Sequence, residues 1–205
     1  MNFGTDFNSG SGAAAPLNLN KCDILNLNKS APFSKKLILG AGWDVNKSAT
    51  RNADFDLDIS AFMLDRNGRV TKPHEQVVYF GAMTQRGIFL EGDNRTGAGE
   101  GDDERIHVDL DDIPRDVESI LFNINIYNAV PNKQTFGMVD NSYIRLLDED
   151  NNEKEICRFN LKTDTSNATA VIFAQLYRDG SGWNFKAIGD ALVVADLNQL
   201  LSKYM

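Results

Sequence analysis

Apolar and polar residues alternate along most of the chain with a period of two. Asp54-Phe55-Asp56-Leu57-Asp58-Ile59-Ser60-Ala61 keeps that alternation for eight positions and runs on into Phe62-Met63. This pattern predicts a strand over 54–63 with one face on a core. Asn67-Gly68 then supplies a hairpin-turn signal. Lys36 to Gly40 predicts another strand. Further strands are predicted over 76–81, 87–91, 104–110, 118–128, 141–148, 155–161, 169–177 and 182–188. The run Ser119 to Tyr127 carries β-branched and aromatic residues at strand density. Many short strands at this spacing predict an all-β chain, a two-sheet antiparallel β-sandwich or a barrel, rather than a parallel α/β sheet. Helix is confined to a single turn near Asp111–Val117 and to the C-terminus. There Leu192, Val193, Leu197, Leu200, Leu201 and Tyr204 predict an amphipathic helix over Gly189–Met205, packed on the sandwich. Residues 1–17, rich in Gly, Ser, Ala and Asn, predict a flexible tail ahead of one domain over 18–205.

Composition narrows the function classes. The chain has 205 residues, 42% hydrophobic and 24% charged, enough to bury a full core without a metal or disulfide staple. Two cysteines, Cys22 and Cys157, exclude a disulfide-dense scaffold and a four-cysteine zinc site. The net charge of −8 argues against nucleic acid as a partner, since that affinity rests on Lys and Arg neutralising phosphates. The first residues lack the basic and apolar regions of a secretory signal, and no run reaches the ~18 apolar residues of a membrane span. A cytoplasmic protein with reduced thiols is expected.

The charge is focused. Between Glu91 and Glu104, six acids (Glu91, Asp93, Glu100, Asp102, Asp103, Glu104) meet one base, Arg95. That local −5 leaves only −3 for the rest of the chain. Gly92, Gly97, Gly99 and Gly101 interleave the acids and open left-handed backbone conformations to the loop. Carboxylates packed this closely repel unless a cation relieves them. Asp54, Asp56 and Asp58 share one face of their predicted strand. Asp44 joins their end if 36–43 and 54–63 are antiparallel neighbours. Hard oxygen donors with flexible carbonyls suit Ca²⁺, whereas Mg²⁺ prefers fewer carboxylates plus water or phosphate. Only His74 and His107 offer imidazole, and neither has zinc-site spacing from a Cys.

Three stretches resemble the TerD family of tellurium-resistance and stress proteins: Leu39-Gly40-Ala41-Gly42-Trp43-Asp44, Asp54 to Phe62, and above all Gly92-Asp93-Asn94-Arg95-Thr96-Gly97-Ala98-Gly99-Glu100-Gly101-Asp102-Asp103-Glu104. Phe136 to Arg145 and Gln175 to Arg178 are similar to its later blocks, so the likeness runs from about residue 23 to 190. The resemblance implies a β-sandwich that is C2-like at a calcium end, one or two Ca²⁺ held by acidic loops, and a role in tellurite and chemical stress. Carried over by motif, the implied ligands come from Asp54, Asp56, Asp93, Asn94, Asp102 and Glu104. Asp44, Asp58, Glu100 and Asp103 form a wider set. The implied mode of action is a Ca²⁺-dependent docking surface for other proteins of a stress-response complex. Two departures stand out: a longer N-terminal tail, and Tyr127-Asn128 where many members carry a His-Asp pair.

Other chemistries fit less well. Asp148 to Asn152 fails as an EF-hand loop, because position six is Glu153 and position twelve Phe159; a polar hairpin turn is predicted there. The glycine string lacks phosphate-loop spacing. A second reading is a metabolite- or nucleotide-binding protein (a cAMP-like ligand, since one relative is described as cAMP-binding) or an enzyme using Ca²⁺ structurally. The primary reading is non-enzymatic: Cys157 between Ile156 and Arg158 is expected to be a packed side chain, and Trp43 and Trp183 to lie in or near the core. Membrane docking is not favoured, because the loop tip lacks Phe, Leu or Trp and the remaining charge gives anionic lipid little to attract.

Overall fold

The computed structural model describes residues 15–32, 34–45, 55–92, 101–160 and 167–205. Among these the strands are, in chain order, β1 (Leu17–Leu19), β2 (Ile24–Asn26), β3 (Lys36–Val45), β4 (Leu57–Leu64), β5 (Val77–Val78), β6 (Thr84–Gln85), β7 (Ile88–Glu91), β8 (Glu104–Asp109), β9 (Ser119–Ile126), β10 (Val139–Asp148), β11 (Lys154–Asn160), β12 (Ala170–Asp179) and β13 (Gly182–Leu192). One sheet has the order β1-β11-β10-β3-β8-β7-β6, the other β2-β13-β12-β9-β4-β5. All pairs are antiparallel except β1 with β11. The predicted two-sheet sandwich is thus the observed fold.

The period-two pattern explains the core. Leu57, Ile59, Ala61 and Met63 of β4 face Leu37, Leu39 and Ala41 of β3 and Ile106 and Val108 of β8 across the inter-sheet space. β3 and β4 therefore belong to opposite sheets, so the condition under which Asp44 would join the end of the Asp54 strand, that the two are antiparallel neighbours, is not met. The alternation reports which residues face the core and is silent on which strand pairs with which.

β4 is buried along its whole length, although its polar positions suggested a solvent face. Its outward residues Phe62 and Leu64 join Leu121, Ala170, Ile172, Val194 and Leu200 in a second apolar cluster. The C-terminal helix α1 (Leu197–Leu201) and a following 3-10 turn (Ser202–Tyr204) cover it. Tyr204 meets Phe62 edge-on, with centroids 6.0 Å apart. The helix is shorter than predicted. Gly189 to Leu192 extend β13, and the helix starts only at Asp196, whose carboxylate accepts from the Gln199 N–H (2.8 Å) while Gln199 accepts from Ala195. Such a reciprocal side-chain cap was readable as Asp-x-x-Gln and marks a better start than the hydrophobic spacing alone. Asp111–Val117 is a chain of turns, and Glu149–Asn151 forms the 3-10 turn joining β10 to β11, matching the predicted hairpin. Residues 1–14 of the predicted tail lie outside the described residues; Leu17 already pairs with Cys157. Among the described residues no helix is long and apolar enough to cross a membrane.

Candidate functional site

The acidic segment enters β8 beside the end of β3, where Ala41 pairs with Glu104. The bounding glycines use the conformational freedom expected of them, with φ +73° at Gly92 and +105° at Gly101. Three consecutive acids then take three different environments, because the chain bends at Asp103 before it joins β8, so Asp102 and Glu104 leave on opposite sides instead of sharing one face.

Asp102 folds back over β3. A Cβ at Gly40 would overlap its carboxylate, so only glycine lets it lie there. Its Oδ1 accepts from Arg145 Nε (2.7 Å) and its Oδ2 from Arg145 Nη2 (2.9 Å), the bidentate geometry of a strong charge-assisted pair. Tyr143 Oη donates to the Gly101 carbonyl (2.7 Å) and stands 3.3 Å from Asp102 Oδ1. Arg145 reaches on to Glu155 (3.3 Å), Glu155 holds Arg158 (3.0 Å), and the Arg158 guanidinium lies 4.2 Å over the Tyr143 ring. The Asp102 side chain is only 3% exposed. With both oxygens committed to Arg145, it anchors the acidic segment to the outer face of this sheet.

Asp103 turns toward the end of β3. Its N–H donates to the Ala41 carbonyl (2.8 Å), and its Oδ2 accepts from the Trp43 N–H (2.9 Å). Burial pushes its carboxyl above the usual carboxylate range; the Trp43 N–H opposes this, and the charges of Asp44 and Asp102 add to it. Asp44 is exposed beside it and accepts from Asn141 Nδ2 (2.9 Å). Glu104 points inward and is buried. Its Oε2 accepts from the Ile59 N–H (2.8 Å), tying the sheets together. That N–H is available because β5 pairs with β4 only at Ala61 and Phe62.

On the other sheet, Asp58 stands opposite Asn125 and Ser60 opposite Asn123, all buried on the outer face. The Tyr127 N–H donates to the carbonyl of the half-buried Asp56 (2.8 Å). Asp54, Asp93, Asn94 and Glu100 lie outside the described residues. Among the described residues no group of three or more Asp, Glu, His or Cys side chains converges in a way that could hold a metal ion. The donor chemistry still suits a hard cation at Asp103, where burial and the neighbouring Asp44 charge raise the cost of ionising the carboxyl. It does not suit one at Asp102, where a guanidinium already neutralises the charge.

The sequence reading gave no role to Arg145 and Tyr143 as loop anchors. Their i, i+2 spacing on a strand was the available signal, since it places both on one face. His107 bridges Glu91 (2.9 Å) and Glu149 (3.3 Å), and its hydrogen bond holds the Glu91 carboxyl low. Cys157 is buried, and burial pushes its thiol up to about 12, far from a nucleophile's range. Trp43 is buried and Trp183 packs against the core.

An antiparallel sandwich with an acidic, glycine-rich segment clamped to one end defines the class. The particular family follows from comparison. Residues 16–204 match the TerD domain, and the chain belongs to that family. It is 40% identical over 174 residues to a tellurium resistance protein TerD of Serratia marcescens, covering 84% of this chain and 89% of that one. It is 36% identical over 200 residues to the stress response protein SCP2 of Bacillus subtilis, covering 92% and 99%. The crystal structure of a TerD homologue from Streptomyces coelicolor superposes with a TM-score of 0.63 at 21% identity, over 80% of this chain and 94% of that one, and shares the fold.

Proposed function

We propose that this chain is a Ca²⁺-binding stress-response protein acting in tellurite and chemical-stress resistance, and that ion binding at its acidic end changes a surface that other proteins dock to. The names of its relatives support the physiological half of that reading. The single observation that carries the chemical half is Asp103. A carboxyl pushed up by burial and by its neighbours Asp44 and Asp102 is relieved when a divalent cation arrives. Asp44 and Asp103 are the donors the geometry favours, and Glu104 is a further donor implied by the resemblance. Asp54, Asp56, Asp93 and Asn94 are the further donors the family resemblance implies. Asp102 contributes by holding the segment in place through Arg145. This is a binding protein in which Ca²⁺ neutralises the acidic rim, stabilises the folded state by mass action and fixes the loop for a protein partner.

Calorimetric Ca²⁺ titration of EGTA-stripped protein, with Mg²⁺ as competitor, tests the reading. Saturable binding of one or two ions that Mg²⁺ does not displace is expected, with affinity lost in Asp44→Asn/Asp103→Asn. No heat and no thermal shift overturns it. Partner docking is tested by comparing lysate proteins retained in Ca²⁺ with those retained in EGTA; an identical set in both overturns the switch.

A further inference from the structure

On the outer face of the β4-containing sheet, away from Asp102 and Asp103, lies a cavity of about 510 Å³ between the strands, the Pro73–Gln76 turn and the C-terminal helix. We propose that it binds a small protonated amine with an apolar body. Its polar floor is the cross-strand pair Asp58 and Asn125. Asn125 is 4% exposed, and its Oδ1 has no hydrogen-bond partner among the described residues. A buried amide oxygen left this way keeps its desolvation cost unmet until a donor arrives. Its Cβ neighbours along the strand, Ile124 and Ile126, face the core, so the amide belongs to the cavity side of the sheet.

The lip is aromatic. Tyr79 meets Phe80 with centroids 5.3 Å apart, and Phe80 meets Tyr127 at 5.9 Å, both edge-on. Phe80 and Tyr127 remain 43% and 44% exposed, an unusual cost for two large rings side by side. Ring faces attract cations through their quadrupole. The charge agrees: among the described lining residues Asp58 and Asp196 are carboxylates, His74 is the one side chain able to take up a positive charge, and neither Lys nor Arg is present. An anion such as a nucleotide phosphate would meet repulsion here. Leu197 and Leu201 of the helix and Val77 give the walls that an apolar body would cover. An acceptor at depth, aromatic rings at the mouth and net negative charge together select an ammonium group with a short hydrocarbon or aryl substituent.

The test is a titration of the full chain in EGTA, followed by NMR, with phenethylammonium chloride and with its neutral analogue 2-phenylethanol. EGTA keeps the outcome independent of the Ca²⁺ reading. Saturable shifts at the Asn125 side-chain amide and at Tyr127 are expected for the amine, with a Kd on the order of 1 mM for so small a probe. The alcohol should bind roughly fivefold more weakly or worse. Tyr127→Ala, at an exposed site whose backbone N–H is retained, should weaken the amine by roughly threefold to fivefold. Asn125→Leu should weaken both probes, since ammonium and hydroxyl alike donate to the Asn125 Oδ1. Equal affinity for the two probes, shifts that avoid Asn125, or a Tyr127→Ala variant that binds as well as the parent overturns the proposal.

Discussion

Replacing Asp102 by Asn decides whether this acid is a strut or an ion ligand. The change is nearly isosteric and keeps one acceptor, but it removes the charge facing Arg145. Breaking one side of a fully buried pair costs about 3–5 kcal/mol. The Asp102 side chain is 3% exposed, but that of Arg145 is 26% exposed and keeps Glu155 as a second partner. Solvent and that partner scale the loss down to about 1.5–3 kcal/mol. For a chain of this length each kcal/mol moves Tm by roughly 2–4 °C, so a fall of about 3–12 °C is expected. Thermal denaturation followed by circular dichroism, run in EGTA and again in Ca²⁺, measures it. A strut produces the fall in EGTA, before any ion is offered. Combining the change with Arg145→Met should recover a coupling of about 1–3 kcal/mol, because the second substitution removes a partner already lost. An Asp102→Asn variant whose Tm in EGTA equals that of the parent would refute the strut reasoning and return Asp102 to the ligand set.

Asp103→Asn should raise Tm at neutral pH in EGTA and leave it unchanged below the ordinary carboxylate value of 3.8. Because the folded carboxyl is held above that value, the native state binds the extra proton, and stability falls as pH rises through the interval; the variant loses that slope in a pH series of melts. Native protein should react with one equivalent of a thiol reagent at mildly alkaline pH, at the exposed Cys22, and with a second only after unfolding exposes Cys157. Leu200→Ala empties a fully buried position against the second apolar cluster, so a loss of about 2–4 kcal/mol is expected in denaturant melts, with Ca²⁺ binding unchanged.

Much of the fold was legible because strand patterning is local. The alternation through Leu57-Asp58-Ile59-Ser60-Ala61 names the inward residues correctly, since a pleated strand sends successive side chains to opposite faces. The burial of the outward face was not legible. Phe62 and Leu64 are covered by a helix some 130 residues further along the chain, and no window on either segment contains the other. The candidate site divides the same way. The density of acids between Glu91 and Glu104 was visible as composition, and so was the chemistry it favours. Which of Asp102, Asp103 and Glu104 remains open to a cation was not. That choice depends on Arg145, on the Trp43 N–H and on the Ile59 N–H, which come from three other strands.

The sequence by itself determined the secondary-structure type, the inward-facing set of each strand, the family and the place where negative charge gathers. All of these rest on residue type and near-neighbour spacing. The tertiary structure alone decided that β3 and β4 lie in opposite sheets, that Gly40 leaves room for Asp102, and that Asp58 and Asn125 meet beneath three aromatic rings. Each of those is a contact between segments far apart in the chain. Such contacts are fixed by how sheets stack and which edges close, where the free energy comes from burying shared surface and satisfying shared hydrogen bonds.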